Sequence, residues 1–261
     1  MTTILDRIIA EKHDVVSELY KRKEELSFKE TKAAKRSFIK RIENSQTLSI
    51  IAEFKRASPS KGDINKDLDP EQQAIHYEQY GADAISVLTD TPFFKGTFQD
   101  LETVRRAVNL PILCKDFIID PIQIDFAKHY GADIILLIAA ALSDDKLHAL
   151  YNYAIEKDLE VLLEVHNEEE LQRALKTSAK LIGVNNRNLK TFEVTLDTTE
   201  QLAPIIKKNG RYMVSESGIA SLDDVEKVTA SGARAILVGE TFMRASDLEQ
   251  TLKEMKVSIK A

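Results

Sequence analysis

The strongest constraint on this chain is that it repeats itself. Tyr80-Gly81-Ala82-Asp83-Ala84-Ile85-Ser86-Val87 recurs as Tyr130-Gly131-Ala132-Asp133-Ile134-Ile135-Leu136-Leu137, and again as Ser231-Gly232-Ala233-Arg234-Ala235-Ile236-Leu237-Val238. Each copy reads as a helix end, a glycine in the left-handed position that closes it, and an apolar strand. The glycines stand 50 and then 101 residues apart. A βα unit takes about 25–30 residues, so the intervals hold two units and then four. If the first copy precedes strand 2, the others precede strands 4 and 8.

The remaining strands are found independently. Apolar runs occur at Leu48–Phe54, Ala84–Leu88, Ile112–Cys114, Ile134–Ile138, Val161–Val165, Leu181–Val184, Tyr212–Val214 and Ala235–Val238. They are short and almost continuously apolar, as parallel strands buried on both faces should be. Helix starts fall between them. Asp69-Pro70 and Asp120-Pro121 place a capping side chain before a proline at the first helical position. Asn167 with Glu170 and Ser246 with Glu249 have capping-box spacing, and Ser143 and Ser221 also read as caps. Leu147, Leu150, Tyr151 and Ala154 mark one apolar helix face. Strand–helix alternation repeated eight times predicts an α/β fold, a (β/α)8 TIM barrel. A doubly wound open sheet is the alternative, but the Gly-rich phosphate loop usual after its first strand is missing.

At 261 residues the chain could hold one large domain or two small ones, and the strand count favours one barrel domain over 1–261. Residues 1–47 would form a helical extension and 48–261 the barrel. Ile4, Leu5, Ile8 and Ile9 have helical spacing, followed by a charged segment around Lys21–Glu25. These helices are expected to cover one barrel end. One cysteine, Cys114, leaves no intrachain disulfide and no multi-cysteine metal site. The net charge of −6 argues against nucleic-acid binding, though a local basic pocket could hold a small anion. The N-terminus shows no signal-peptide pattern. The longest apolar run, Ile134 to Leu142, is nine residues, well short of the about 20 that span a bilayer. A soluble, cytoplasmic monomer is expected.

Chemistry in such a barrel sits at the carboxyl ends of the strands. There the sequence delivers Glu53, Lys55 and Arg56 after strand 1, Lys115 and Asp116 after strand 3, and Glu164 within strand 5. Asn185 and Arg187 follow strand 6, Glu216 and Ser217 strand 7, and Gly239 and Glu240 strand 8. Residues two apart share a face of an extended strand, which joins Glu53 to Lys55 and Asn185 to Arg187. An ionisable group such as Glu164, between leucines and a valine, needs a partner. Converging lysines and carboxylates can shift one another's pKa and act as acids and bases. For Arg56, Asp116, Glu216 and Glu240 a solvated position or a structural ion pair explains the charge equally well. Lys55, Lys115 and Glu164 face the interior, which favours chemistry. No histidine or cysteine spacing suggests a metal. The histidines fall mostly on surface helices, His166 being the exception.

Ser217-Gly218-Ile219 and Gly239-Glu240-Thr241 offer backbone N–H groups for a phosphate, the common position in such barrels, although glycines there can simply turn the chain. The polar stretch Ala57-Ser58-Pro59-Ser60-Lys61-Gly62-Asp63 is either a lid or a long connection.

Together these segments resemble the indole-3-glycerol phosphate synthase family. The resemblance rests on Ile51-Ala52-Glu53-Phe54-Lys55-Arg56-Ala57-Ser58-Pro59-Ser60-Lys61-Gly62, Leu113-Cys114-Lys115-Asp116-Phe117-Ile118, Leu163-Glu164-Val165-His166, Gly183-Val184-Asn185-Asn186-Arg187-Asn188-Leu189 and Ser215-Glu216-Ser217-Gly218-Ile219. It implies closure of an indole ring on 1-(2-carboxyphenylamino)-1-deoxyribulose 5-phosphate, with loss of carbon dioxide and water and with no cofactor or metal. By the resemblance Lys115 is the general acid for ring closure, and Glu164 stabilises the cationic intermediate or acts as base. Lys55 holds the substrate carboxylate and protonates the departing hydroxyl, and Glu53 pairs with Lys55 and removes the last proton. Ser58, Asn185, Arg187 and Glu216 orient polar groups. Phe94, Phe117, Leu136 and Leu189 line the aromatic pocket. Ser217, Gly218, Gly239 and Glu240 meet the phosphate, Glu240 through its backbone with its side chain turned away. Asn188 departs from the Asp common at that turn. Two other readings remain at this point: a phosphosugar or phosphoribosylanthranilate isomerase on the same scaffold, and a catalytically silent phosphate-binding barrel.

Overall fold

Backbone pairing carries each apolar run into a closed ring. The computed structural model describes residues 3–26, 36–59, 62–64 and 68–259. Its barrel strands are β1 (Ser49–Phe54), β2 (Ala84–Leu88), β3 (Ile112–Lys115), β4 (Ile134–Ile138), β5 (Glu160–Val165), β6 (Leu181–Asn185), β7 (Tyr212–Glu216) and β8 (Ala235–Val238). Each pairs in parallel with the next, and β8 pairs with β1, so the sheet closes and the open-sheet alternative falls. Three strands run further than their apolar stretches, to Lys115, Asn185 and Glu216. Ladder hydrogen bonds are made by the backbone, so a polar side chain at the barrel mouth does not end a strand.

Side-chain parity divides the core in two. Ile51, Leu113, Ile134, Leu136, Leu162, Leu181, Val214 and Ala235 point inward as one cluster. The alternating residues, such as Ile50, Ala52, Ile135, Leu163 and Ile236, pack outward under the helices. Continuing the inward parity by two residues reaches Glu53, Lys115, Glu164 and Glu216. The strand pattern that fills the barrel therefore also aims the charged groups at its mouth.

The helix caps follow the sequence closely. Asp69 and Asp120 cap Pro70–Gln79 and Pro121–His129, each with proline in the first turn. Ser143, Asn167 and Ser221 cap Asp144–Glu156, Glu168–Leu175 and Leu222–Ala230. The last helix, Leu248–Met255, is a correction. Its cap is Asp247, not Ser246, because Asp247 Oδ1 accepts the N–H of Gln250 at 2.9 Å.

The N-terminal helices take both barrel ends rather than one. α1 (Ile4–Lys21) packs Leu19 against Ile122 and Phe126 of Pro121–His129 and turns Ile4, Leu5 and Ile8 toward the mouth. α2 (Phe38–Asn44) pushes Phe38 and Ile42 into the opposite, N-terminal end of the barrel interior. Its first N–H groups are met by Glu160: Oε2 accepts from Phe38 at 3.0 Å and Ile39 at 3.2 Å, and Oε1 accepts from the Ser37 hydroxyl. Among the described residues no helix is long and apolar enough to cross a membrane.

Candidate active site

Alternate strands of a barrel contribute one interior layer. Here β1, β3, β5 and β7 supply Glu53, Lys115, Glu164 and Glu216, all at the mouth. Lys115 Nζ lies 3.0 Å from Glu216 Oε2, 3.8 Å from Glu164 Oε2 and 3.9 Å from Glu53 Oε2. Lys55 Nζ approaches Glu53 Oε1 at 2.6 Å. Small neighbours make room. Ser86, paired in register with Glu53, places its hydroxyl 3.5 Å from Glu53 Oε2. A Cβ on Gly183 would stand 2.2 Å from Glu216 Oε1. Lys115 thus pairs with Glu164 across the mouth, while its nearest carboxylate is Glu216.

The electrostatics separate the three carboxylates. Burial pushes each toward the protonated form. For Glu53 the ammonium groups of Lys55 and Lys115 outweigh burial and lower its pKa. For Glu164 the His166 ring 3.3 Å away and the charge of Lys115, with help from Asn185, hold it at about 2. For Glu216 burial prevails over Lys115, and the neighbouring Glu164 and Glu53 add to it, raising it to about 7. Burial disfavours the Lys115 cation, yet Glu216, Glu53 and Glu164 raise its pKa above the usual lysine range.

Around this layer lies a cavity of about 840 Å³, a size that suits a small organic substrate. Phe94 and Phe117, with ring centroids 5.9 Å apart, line it together with Leu136 and Leu189. Ser58, Asn185 and Arg187 complete the polar lining. Asn185 Oδ1 accepts the Arg187 N–H at 3.1 Å, which turns the chain at the end of β6. In the following loop Asn188 Oδ1 accepts from the N–H groups of Lys190 and Thr191. An amide oxygen serves there as a carboxylate oxygen would, so the change from Asp keeps the turn.

The end of the cavity beyond β7 and β8 is backbone. Ser217 and Gly218 both have positive φ, 64° and 83°. Ser217 is held in that costly conformation by Asn186, whose Nδ2 donates to Ser217 O at 3.1 Å and to Ser215 Oγ at 3.0 Å. Gly218 also lacks room for a side chain, since a Cβ would stand 2.6 Å from Val194 Cγ1. Gly239 precedes the short helix Glu240–Arg244, and a Cβ on it would lie 2.7 Å from Glu53 Oε1. Glu240 pairs with Arg244 at 3.3 Å.

Two charges turn out to be structural. Arg56 grips Asp100 through two hydrogen bonds of 2.6 and 2.7 Å and covers the Phe54 ring. Asp116 Oδ1 meets Lys12 Nζ at 2.6 Å, and the same ammonium reaches Asp90 Oδ2 at 2.8 Å. In the loop after β1, Ala57–Ser58 pairs antiparallel with Gly62–Asp63, while Ser60 and Lys61 lie outside the described residues.

Sequence reasoning named the cavity residues on the strands but missed those brought from afar. Ile4, Leu5 and Ile8 of α1 line the mouth, as do Phe192 and Val194 of the loop after β6. Lys12 gave no signal, because a lysine on an amphipathic helix reads as solvated. Four histidines sit on helices. His166 instead places Nε2 3.3 Å from Glu164 Oε1 and Nδ1 3.0 Å from Glu170 Oε2.

Comparison with known proteins adds one consistent result. A family model described as indole-3-glycerol phosphate synthase matches residues 5–255. The chain is 52% identical over 257 residues to the indole-3-glycerol phosphate synthase of Oceanobacillus iheyensis, covering 98% of both chains. It is 51% identical over 259 residues to that of Bacillus mycoides, covering 99% of this chain and 100% of the relative.

Proposed function

This chain belongs to the indole-3-glycerol phosphate synthase family, and from that premise we propose how its cavity works. The enzyme is a carboxy-lyase of tryptophan biosynthesis. It converts 1-(2-carboxyphenylamino)-1-deoxyribulose 5-phosphate to indole-3-glycerol phosphate with release of carbon dioxide and water.

The observation that carries the assignment of roles is one ammonium, Lys115, enclosed by three carboxylates in an aromatic-walled cavity. Lys115 protonates the ribulose carbonyl as the ring carbon attacks. Glu216, raised to about 7 by burial, is partly protonated near neutrality, which weakens its hold on that ammonium. Glu164 lies opposite the developing iminium. Held at about 2, it is a poor base, so of its two expected roles the anionic stabiliser is favoured. Lys55 meets the substrate carboxylate and, after decarboxylation, protonates the leaving hydroxyl. Its charge then vanishes from beside Glu53, 2.6 Å away, and Glu53 becomes basic enough to take the last proton.

Phe94, Phe117, Leu136 and Leu189 wall the benzene ring. Ser58, Asn185, Arg187 and Glu216 orient the sugar and carboxylate. The N–H groups at Ser217, Gly218, Gly239 and Glu240 bind the phosphate, with the Glu240 carboxylate drawn aside by Arg244. These roles need no cofactor or metal. The chain is proposed to act as a single-domain, cytoplasmic monomer, the single domain supported by one closed barrel that takes in all eight barrel strands.

The test is formation of indole-3-glycerol phosphate by the wild type and by Glu164→Gln. The variant keeps shape and loses charge, so kcat should fall by about 10²-fold or more with a smaller change in KM. Normal kcat with much weaker binding would make Glu164 a ground-state binding residue. For the phosphate end, inorganic phosphate should compete with substrate. Competition that persists unchanged when bulky side chains replace Gly218 and Gly239 in a folded variant would place the phosphate elsewhere.

A further inference from the structure

His166 follows β5 directly, and among the described residues it is the one histidine carried off the helices. It does not line the cavity. Its ring, 11% exposed, lies behind Glu164 and between two carboxylates. Glu170 fixes one side: its Oε2 accepts both the His166 backbone N–H at 2.8 Å and Nδ1 at 3.0 Å, and its Oε1 accepts from Asn167 Nδ2 at 2.7 Å. With Nδ1 committed there, Nε2 is left 3.3 Å from Glu164 Oε1.

A neutral imidazole carries one N–H and one lone pair. Between two carboxylates it would point that lone pair at an anion. The doubly protonated ring presents an N–H on each side: Nδ1 donates to Glu170, and Nε2 stands in ion-pair contact with Glu164 at 3.3 Å, short of a formed hydrogen bond. Burial opposes the charge, but Glu164 and Glu170 overcome it and take His166 up to about 10.

We propose that His166, as an imidazolium, is the positioning residue for Glu164, holding Oε1 from behind so that Oε2 faces Lys115 and the substrate. The proposal deepens the reading of Glu164 given above and rests on it. The other groups facing Glu164 explain why one cation is not enough. Lys115 on β3 is positive, Asn185 on β6 is neutral, and Glu53 on β1 and Glu216 on β7 are carboxylates that favour a proton on Glu164. His166 supplies the second positive charge. It also restricts Glu164 to electrostatic duty, since an already protonated ring cannot accept the proton a base would have to pass on.

The experiment is a kcat–pH profile of the wild type, His166→Leu, His166→Gln, Glu170→Gln and Glu164→Gln. In His166→Leu kcat should fall between about tenfold and a hundredfold, the scale of a misplaced reacting group, with KM little changed. Its acid limb should move up by about one to three pH units, the shift expected when a carboxylate loses an adjacent cation. His166→Gln keeps a donor without the charge, so it should recover part of kcat and keep the raised acid limb. Wild-type kcat in His166→Leu, or a lowered kcat with an unmoved acid limb, overturns the proposal. If that variant does not fold, Glu170→Gln decides. Without Glu170's charge His166 gives up its proton at lower pH, so kcat should decline on the alkaline side earlier than in the wild type, and an unchanged alkaline limb overturns the proposal. Glu164→Gln separates the two claims. Full kcat there removes the Glu164 reading and this proposal with it, whereas a slow Glu164→Gln beside a normal His166→Leu removes the positioning role alone.

Discussion

Glu160 and Glu164 stand four residues apart on β5, both inward-facing and both buried, at opposite ends of one barrel. Glu160 spends its oxygens on the first N–H groups of α2 and the Ser37 hydroxyl, donors fixed by a helix start. Glu164 faces Lys115 and His166, cations at the tips of side chains, beside an open cavity. Burial and strand parity are the same for both. What differs is that Glu160 holds the N–H groups and hydroxyl that start a helix, whereas Glu164 meets ionisable groups that can exchange protons or yield to a substrate. The two helices of the N-terminal extension repeat the contrast. α2 plugs its end with Phe38 and Ile42, while α1 leaves a cavity behind Ile4, Leu5 and Ile8 and is tied down by the buried Lys12.

The contrast can be broken at several points. The largest effect is expected at the mouth: Lys115→Ala should remain folded and lose turnover by about 10²-fold or more, the scale for removing a positioned general acid. Near-normal turnover would take Lys115 out of that role and the mouth out of its special status. Next comes Lys12→Met, which leaves Asp90 and Asp116 buried without their cation. Unfolding in denaturant should show a loss of about 3–5 kcal/mol. A loss below about 1 kcal/mol, the ordinary worth of a surface pair, would mean that water reaches the two aspartates.

At the base, Glu160→Gln should cost about 1–3 kcal/mol, the range for leaving buried groups imperfectly paired, with kcat close to that of the wild type. A large kcat loss at unchanged stability would erase the distinction between the ends. The last effect is read as a slope in the pH dependence of stability. His166 is raised from about 6.5 to about 10, so the folded state holds its proton more tightly than the unfolded chain does. Its contribution is therefore full below about pH 6.5 and is lost as pH rises through about 10. The difference in thermal midpoint between wild type and His166→Leu should narrow over that window. A difference that widens with pH would mean the ring is neutral in the folded protein.

Much of the site was legible because a parallel barrel turns sequence parity into direction. Once Ile51 and Leu113 are inward, Glu53 and Lys115 are inward too, and the family motifs named the same positions. Arg56 and Asp116 were ambiguous for a physical reason. Their partners, Asp100 and Lys12, lie 44 and 104 residues away in sequence, and no local pattern announces an ion pair closed at that separation. Ser246 with Glu249 read as the cap, yet Asp247 with Gln250 has the same spacing, and only the backbone path of the preceding turn chooses between them. The histidine at 166 read as an exception without a role, since its meaning depends on Glu170 reaching back from the next helix.

Residue type and period alone determined the eight strands, the barrel they close into, and the row of acids and bases at its mouth. Those properties depend on local spacing and on the alternation of side chains along extended backbone. Tertiary structure alone decided that Glu216 rather than Glu164 lies nearest Lys115, that α1 walls the cavity while α2 fills the base, and that Glu164 carries a histidine behind it. Each of these is set by distances between elements far apart in the chain. Charge interactions that change steeply over an ångström or two in a buried site cannot be read from the order of residues.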